Sequence, residues 1–319
     1  MADKYLDAMA LQYVDLKKDT FIALLFPCAV GKEDEVRAIL NEHGVVVYEK
    51  QVTFTRLGAF NLINLIYEGE PWLGDWNNNF LGSRGKTRSC FPSGDNTIRV
   101  FLYESHDLNR VKEAKKKIRQ LFNLGNHSIH INDTYEETQK IAQALFVANS
   151  IHFMNDADHQ DFKRFNIMIK YYKQWLEDSG YDQDCFCIDG SAVLAAYGLR
   201  DCNDLDFLHH GYDGVATPSK YISSHNHELR YYTVGKDDII FNPENHFYYQ
   251  GLKLASLDVI KNMKMKRNEV KDNVDVQLIE QILYQANISG KTSTVEAEGR
   301  GMPISWAKVV GSWRVSTFE

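Results

Sequence analysis

The strongest constraint on the fold is a run of small, apolar and acidic residues in the second half of the chain. A short apolar segment ends at Gly190-Ser191, and residues 192–197 are good helix formers. Asp204-Leu205-Asp206 follows and leads into further apolar residues, which predicts a strand. Because side chains alternate across a strand, the two aspartates are predicted to lie on the same face. This segment therefore predicts a turn, a helix and a strand that carries paired carboxylates.

The paired carboxylates indicate a metal site. Two neighbouring carboxylates repel each other unless a cation lies between them, and oxygen ligands with open positions suit Mg²⁺, which also takes substrate phosphates. Gly190 has no side chain and Ser191 carries a hydroxyl, so a phosphate can approach this turn. Asp204 and Asp206 are thus candidate catalytic metal ligands for phosphoryl or nucleotidyl transfer, and the alternative is a solvated strand edge. Arg200 is placed to meet a phosphate or to pair with the acids.

Gly190-Ser191, the spacer and Asp204-Leu205-Asp206-Phe207 together resemble the signature of the nucleotidyltransferase-fold superfamily, the polymerase-beta-like minimal nucleotidyltransferases. The segment Tyr248–Asp258 and the basic run Met263–Arg267, followed by Lys271-Asp272-x-x-Asp275, are similar to the closing segment of many such proteins. The resemblance covers about Phe186 to Ile282. It implies a nucleotidyltransferase-fold α/β domain with a mixed sheet.

By this resemblance, Gly190 and Ser191 hold the nucleotide phosphates, and Lys264 or Arg267 contacts the triphosphate. The family also implies a third catalytic carboxylate on a neighbouring strand. Glu228 and Asp238 both precede strand-like residues, and the sequence leaves the choice between them open. Histidines near the presumed site, including His225 and His227, are expected to hydrogen-bond in loops, with metal binding as the alternative.

The first half of the chain carries a second resemblance. Residues 20–54 predict a strand, a helix and a strand. Ile118-Arg119-x-x-Phe122 and Ile129-His130-x-x-Asp133-x-x-Glu136 follow, and the whole is similar to nucleoside diphosphate kinases over about residues 20–146. The resemblance implies a ferredoxin-like domain in which His130 accepts phosphate and Arg119 binds it. Tyr67 and Trp72 would then flank a base-stacking position.

Several parts of the kinase site are replaced in this chain. Phe26 and Cys28 stand where the kinases carry a Lys and an Asp, His127 replaces a supporting Asn, and the acid that orients the histidine falls near Ile141. A histidine nucleophile needs such a partner and cationic clamps. We therefore expect a second nucleotide site without full kinase turnover or a domain retained for packing, and the alternative is that His130 is an ordinary strand-end histidine.

The length of 319 residues exceeds the size at which single cores stop growing, so two domains are expected within an α+β fold. We assign residues 1–147 to the nucleoside-diphosphate-kinase-like domain, 148–165 to a junction, 166–287 to the nucleotidyltransferase-like domain and 288–319 to a C-terminal tail. Residues 72–96 are rich in Asn, Gly and Ser and predict a long loop. Residues 162–179 predict an amphipathic helix that opens the second domain.

Charge and cysteine content restrict the partners and the compartment. The net charge of −7 argues against a general nucleic-acid binder. No run of about 18 apolar residues exists and the N-terminus lacks a secretion pattern, so a cytoplasmic protein without a membrane span is expected. The five cysteines show neither a disulfide framework nor a zinc spacing. A homo-oligomer is compatible with the sequence.

The leading functional hypothesis is an enzyme that transfers a nucleotidyl or related phosphoryl group from a nucleoside triphosphate, with Mg²⁺, to a hydroxyl or phosphate acceptor. The identity of the acceptor and of the nucleotide stays open. The alternative is a regulatory protein whose two degenerate nucleotide-handling domains bind a nucleotide without turnover.

Overall fold

The computed structural model describes residues 2–92 and 96–288, and the fold combines α-helices with antiparallel and mixed β-sheets. The described residues divide into two compact units. Residues 2–53 and 88–139 belong to the first unit, apart from the gap at 93–95, and residues 54–87 and 140–288 belong to the second. Residues 54–87, which the sequence assigned to the N-terminal domain, therefore group with the C-terminal half. The predicted tail from 289 onward lies outside the described residues.

The first unit is built on a four-stranded sheet in the order β2-β3-β1-β4. Each neighbouring pair in this sheet is antiparallel. Its elements in chain order are α1 (Ala2–Leu16), β1 (Thr20–Leu25), α2 (Glu33–His43), β2 (Val45–Thr53), β3 (Thr97–Glu104), α5 (Leu108–Phe122) and β4 (Ile129–Ile131). The strands and the helices α2 and α5 thus follow one another as β-α-β, then β-α-β, with residues 54–96 inserted between the two halves.

Alternation along β1 decides which face of this sheet the helices cover. Phe21, Ala23 and Leu25 lie in one buried cluster with Val36 of α2 and Ile118 of α5. The intervening side chains of β1 lie on the opposite face, because successive residues of a strand alternate. The predicted helix within residues 20–54 is therefore amphipathic, and its apolar face packs on the sheet that contains the predicted strand.

The second unit is built on a five-stranded mixed sheet in the order β7-β6-β5-β9-β8. The pairs β5–β9 and β6–β7 are parallel, whereas β5–β6 and β8–β9 are antiparallel. The elements from residue 148 onward are α7 (Ala148–Asp156), α8 (Lys163–Ser179), β5 (Phe186–Asp189), α9 (Ser191–Ala196), β6 (Leu205–His209), β7 (Ile222–Ser224), α10 (Lys236–Phe241), β8 (His246–Tyr249), β9 (Leu252–Ala255), α11 (Leu257–Arg267) and α12 (Val270–Ile288).

The predicted amphipathic helix at 162–179 is α8. Its Phe165, Ile169, Tyr172 and Leu176 are buried at helical spacing in the core of this unit. Tyr172 lies 5.3 Å, between ring centroids, from Phe207 of β6, so the helix packs directly on the sheet that carries the aspartates.

One segment differs from its sequence-based assignment. Residues 72–96 are not a long loop, because α4 (Leu81–Cys90) and two short 3₁₀ turns occupy most of the described part of this segment. Within the predicted junction, residues 148–165, α7 buries Ile151, Phe153 and Met154. α3 (Arg56–Ile66) belongs to the insertion of residues 54–96, and α6 (Tyr135–Leu145) follows β4. No helix among the described residues is both long and apolar enough to cross a bilayer.

Candidate functional site

Strand register places two aspartates directly opposite each other. Strands β5 and β6 pair antiparallel, and Asp189, the last residue of β5, is the partner of Asp206. Like charges at directly opposite positions destabilise a sheet unless something neutralises them. Strand β7 runs parallel to β6 with Ser223 beside Asp206, and His225 follows directly after this strand. Three neighbouring strands therefore bring two carboxylates and an imidazole together.

These three side chains form a compact group of metal-ligand type. One ligand atom from each of Asp189, Asp206 and His225 lies within 4.8 Å of the other two. His225 Nε2 is 3.2 Å from Asp206 Oδ1, and His225 Nδ1 is 3.4 Å from Asp189 Oδ1. Asp189 is completely buried, and its Oδ2 accepts a short hydrogen bond from the Tyr232 hydroxyl. Within the described part of the chain, Asp189 Oδ1 and His225 Nδ1 make no hydrogen bond.

Burial and mutual repulsion perturb the titration of this group. Burial raises the pKa of Asp206 to about 7, and the charge of Asp189 adds to the rise. Burial alone would lower the pKa of His225, but the neighbouring Asp189 and Asp206 carboxylates outweigh it and raise that pKa to about 8. Near neutral pH, His225 is therefore mostly protonated, and Asp206 is only partly ionised.

The Gly-Ser turn lies against the aspartates, as the sequence predicts. Gly190 has φ +64°, and a Cβ atom at this position would lie 3.0 Å from Asp206 Oδ2. Only glycine combines this backbone conformation with such a close approach. The Ser191 hydroxyl donates to Asp204 Oδ1 at 3.4 Å. Asp204 is exposed just before β6, and its charge contributes to the raised pKa of Asp206, so it borders the metal-ligand group without belonging to it.

The two candidates for the third carboxylate occupy different surroundings, and neither precedes a strand. Glu228 lies in a 3₁₀ helix, and its charge raises the pKa of both His225 and Arg267, so it borders the site. Asp238 lies in the first turn of α10, is exposed, and does not belong to the metal-ligand group. The carboxylate that faces Asp206 from a neighbouring strand is Asp189.

The basic residues predicted to contact phosphate pair with two buried aspartates of α12. Arg200 donates from Nε and Nη2 to Asp275 at 2.6 and 2.7 Å. Lys264, which is 2 % exposed, lies 2.7 Å from Asp275 and 3.3 Å from Asp272. Arg267 makes a two-pronged contact with Asp272 at 2.9 and 2.7 Å.

Two of these cations still act on the site electrostatically. The charge of Arg267 opposes the rise in the pKa of Asp206, and Asp204 contributes to the raised pKa of Arg200. Lys264 is enclosed by its aspartates, so its charge is already neutralised.

Two residues of the predicted second nucleotide site, His130 and Arg119, lie in the first unit. His130 alternates with Ile129 and Ile131, and those two isoleucines lie in the cluster that α5 covers. Arg119 belongs to α5, so it and His130 belong to opposite faces of the sheet. In the other unit, the rings of Tyr67 and Trp72 pack edge to face at 5.1 Å.

Sequence reasoning missed Asp189 and Tyr232. A lone acid at the end of an apolar strand, directly before Gly190, was the available signal for Asp189. No local pattern indicated Tyr232, because its hydrogen bond to Asp189 spans 43 residues of sequence.

No protein-family model, curated protein or solved structure matches this chain. The assignment of a function therefore depends on the geometry of the site.

Proposed function

We propose that the C-terminal half is a metal-dependent transferase that moves a nucleotidyl or related phosphoryl group from a nucleoside triphosphate to a hydroxyl or phosphate acceptor. The observation that carries the proposal is the group Asp189, Asp206 and His225 placed against the Gly190-Ser191 turn. A mixed sheet, a glycine turn between β5 and α9, and Asp206 on β6 with Asp204 directly before that strand support the proposal, because the nucleotidyltransferase resemblance implies such elements.

The residues present fit a divalent cation. The opposed carboxylates favour a bound positive charge, and Asp189 Oδ1 and His225 Nδ1, which lie 3.4 Å apart, make no hydrogen bond to any other described residue. Asp206, Asp189 and His225 would hold the ion, with Asp204 at the rim. When bound, the ion would neutralise phosphate charge and polarise the phosphoryl group. The sequence points to Mg²⁺, and the two carboxylates also suit Mn²⁺, whereas the imidazole of His225 favours Zn²⁺ or iron.

The other residues of the site have roles in the proposed reaction. Gly190 lets the backbone of the turn lie close to the Asp206 carboxylate, and the Ser191 hydroxyl can donate to a phosphate instead of to Asp204. Arg267 adds positive charge near Asp206. We assign to Glu228, at the border of the site, the role of accepting the proton of the acceptor hydroxyl.

For the first unit, we propose a ferredoxin-like fold that is retained without phosphohistidine chemistry. The β-α-β-β-α-β succession and the strand order β2-β3-β1-β4 support the fold. The placement of His130 and Arg119 on opposite faces supports the absence of kinase turnover. If the protein is incubated with labelled nucleoside triphosphate, an acid-labile label on His130 would contradict this proposal.

Metal binding can be tested without knowing the acceptor. Free Mn²⁺ is measured by electron paramagnetic resonance for the wild type, Asp206→Asn, Asp189→Asn and the control Asp213→Asn, with and without each nucleoside triphosphate. Asp213 is an exposed carboxylate outside the metal-ligand group. We expect the first two variants to lose the Mn²⁺ site and the control to retain it. Unchanged Mn²⁺ binding in both site variants would reject the proposal.

Turnover is then measured as pyrophosphate or phosphate release from the nucleotide that stabilises the protein, in the presence of a set of hydroxyl and phosphate acceptors. We expect release that depends on Mg²⁺ or Mn²⁺ and is lost in Asp206→Asn. One observation favours a second candidate, a nucleotide-binding regulator without turnover: protonated His225 already forms ion pairs with both aspartates. Nucleotide-dependent thermal stabilisation with no release of product would support that candidate.

A further inference from the structure

A second concave site in the same unit lies away from the aspartates. It is a cavity of about 460 Å³ between α8, the end of β8 and the turn that carries Trp76. Tyr249, the last residue of β8, pairs with Leu252, where β9 begins. Strand β9 runs parallel to β5, which ends at Asp189, so Tyr249 and Asp189 lie towards opposite ends of the strands in this sheet. The cavity is therefore separate from the proposed active site.

The cavity wall combines aromatic rings with side-chain amides. Trp76 and Tyr249 contribute aromatic surface, and four carboxamides line the remainder: Gln160, Asn166, Gln174 and Gln250. Each carboxamide offers both donors and acceptors. A sugar ring presents C–H groups on its faces and hydroxyls that donate and accept around its edge, so it matches a wall of rings and amides.

The charges of the wall favour an anionic ligand. Lys170 and Lys173 line the cavity together with a single acid, Glu177. The wall also contains His159. Burial lowers the pKa of this histidine, so it is neutral at pH 7. Lys173 donates to the Gln250 carbonyl at 3.1 Å, which fixes it across the cavity, whereas Lys170 is exposed.

The turn that presents Trp76 is held rigidly. The Trp76 side chain is 49 % exposed, yet Phe80 packs edge to face against it at 5.1 Å. A capping box between Asp75 and Asn78 closes the turn on itself. Phe80 has φ +52°, a conformation that is strained for a bulky residue and is concentrated at ligand clamps and active sites.

We propose that this cavity binds an acidic or phosphorylated saccharide, with the sugar ring against Trp76 and the anionic group at Lys170 and Lys173. The site supplies a binding function distinct from the metal-dependent chemistry, and it does not depend on that chemistry.

Binding is tested by calorimetry on the full chain with mannose 6-phosphate, an oligogalacturonate, maltose and inorganic phosphate. We expect at least one of the two anionic saccharides to bind at least tenfold more tightly than maltose and than inorganic phosphate. Trp76→Ala should weaken binding of that saccharide at least tenfold. Lys170→Gln should weaken it several-fold without changing the affinity for maltose.

The controls separate this proposal from others. Lys163→Gln changes an exposed lysine of α8 that does not line the cavity, and it should bind as the wild type. Asp206→Asn should also bind saccharide normally, so that loss of the proposed transferase chemistry and loss of this site are distinguishable. Circular dichroism checks the fold of Trp76→Ala, and the exposed Lys170 provides a variant that does not endanger it.

Three results would overturn the proposal. The first is the absence of binding by both anionic saccharides at millimolar concentration. The second is equal affinity for inorganic phosphate and mannose 6-phosphate together with no binding of oligogalacturonate, which would mean that the lysines alone act. The third is saccharide binding that is unchanged in both Trp76→Ala and Lys170→Gln.

Discussion

Substitution of Asp275 by Asn tests whether Arg200 and Lys264 stabilise the fold or are available to bind a phosphate. Asp275 is 2 % exposed and holds Arg200 through two hydrogen bonds and Lys264 through one ion pair at 2.7 Å. Asparagine keeps the shape of the side chain but removes the charge and turns an amide donor towards the two cations. Lys264 would then retain only Asp272, at 3.3 Å.

The size of the effect follows from this arrangement. Removal of one partner from a buried ion pair costs about 3–5 kcal/mol in the free energy of unfolding. Arg200 is one-third exposed, so solvent screens part of its loss, and Lys264 keeps one partner. We therefore expect a loss of about 3 kcal/mol, which corresponds to a fall of roughly 6–12 °C in Tm for a unit of this size.

Thermal and urea unfolding monitored by circular dichroism measure the effect. The control is Asp34→Asn, which removes an 88 % exposed carboxylate that pairs with Arg37 on the surface of α2 and should leave the midpoint unchanged within error. A midpoint for Asp275→Asn equal to that of the control would refute the reasoning. Tighter nucleotide binding by Asp275→Asn at unchanged stability would indicate instead that Arg200 and Lys264 serve the phosphates.

Three further predictions concern single residues. Gly190→Ala should lower the free energy of unfolding by about 1–3 kcal/mol, because alanine is strained at φ +64° and its Cβ would crowd the Asp206 carboxylate. The nucleotide-dependent stabilisation measured in a thermal-shift assay should also fall in this variant. Tyr232→Phe removes the hydroxyl that donates to buried Asp189 and should cost about 1–3 kcal/mol in urea unfolding, and an unchanged midpoint would disprove that role. Burial lowers the pKa of His246 to about 4, so the unfolded chain protonates first as the pH falls below 6.5, and up to about 3 kcal/mol of stability should be lost between pH 6.5 and 4. His246→Asn retains a donor for the Ile239 carbonyl but cannot take up a proton, so an acid-induced loss as large as in the wild type would count against this assignment.

Local patterns in the sequence were sufficient for the elements around the turn. The apolar spacing of α8 predicts its buried face, and the alternation after Asp204 predicts the strand β6. The contact of Gly190 with Asp206 also follows, because only a short helix separates the turn from the strand. These features depend on neighbours in sequence, whose periodicity and backbone preferences are readable without the fold.

The composition of the site was decided only by the tertiary structure. Asp189 faces Asp206 because of the antiparallel register of β5 and β6, and a shift by one residue would turn one of them to the other side of the sheet. His225 joins them because β7 adds in parallel beside β6.

The same holds for the cations that the sequence offered as phosphate ligands. Arg200 finds Asp275 across 75 residues of sequence, and no local pattern encodes which of several acids a lysine or arginine will meet. The sequence by itself determined where a glycine turn and a pair of acids come together. Strand register determined which carboxylates face one another, and long-range ion pairing determined which charges are already neutralised. Both the register and the pairing depend on which surfaces of the whole chain are buried together.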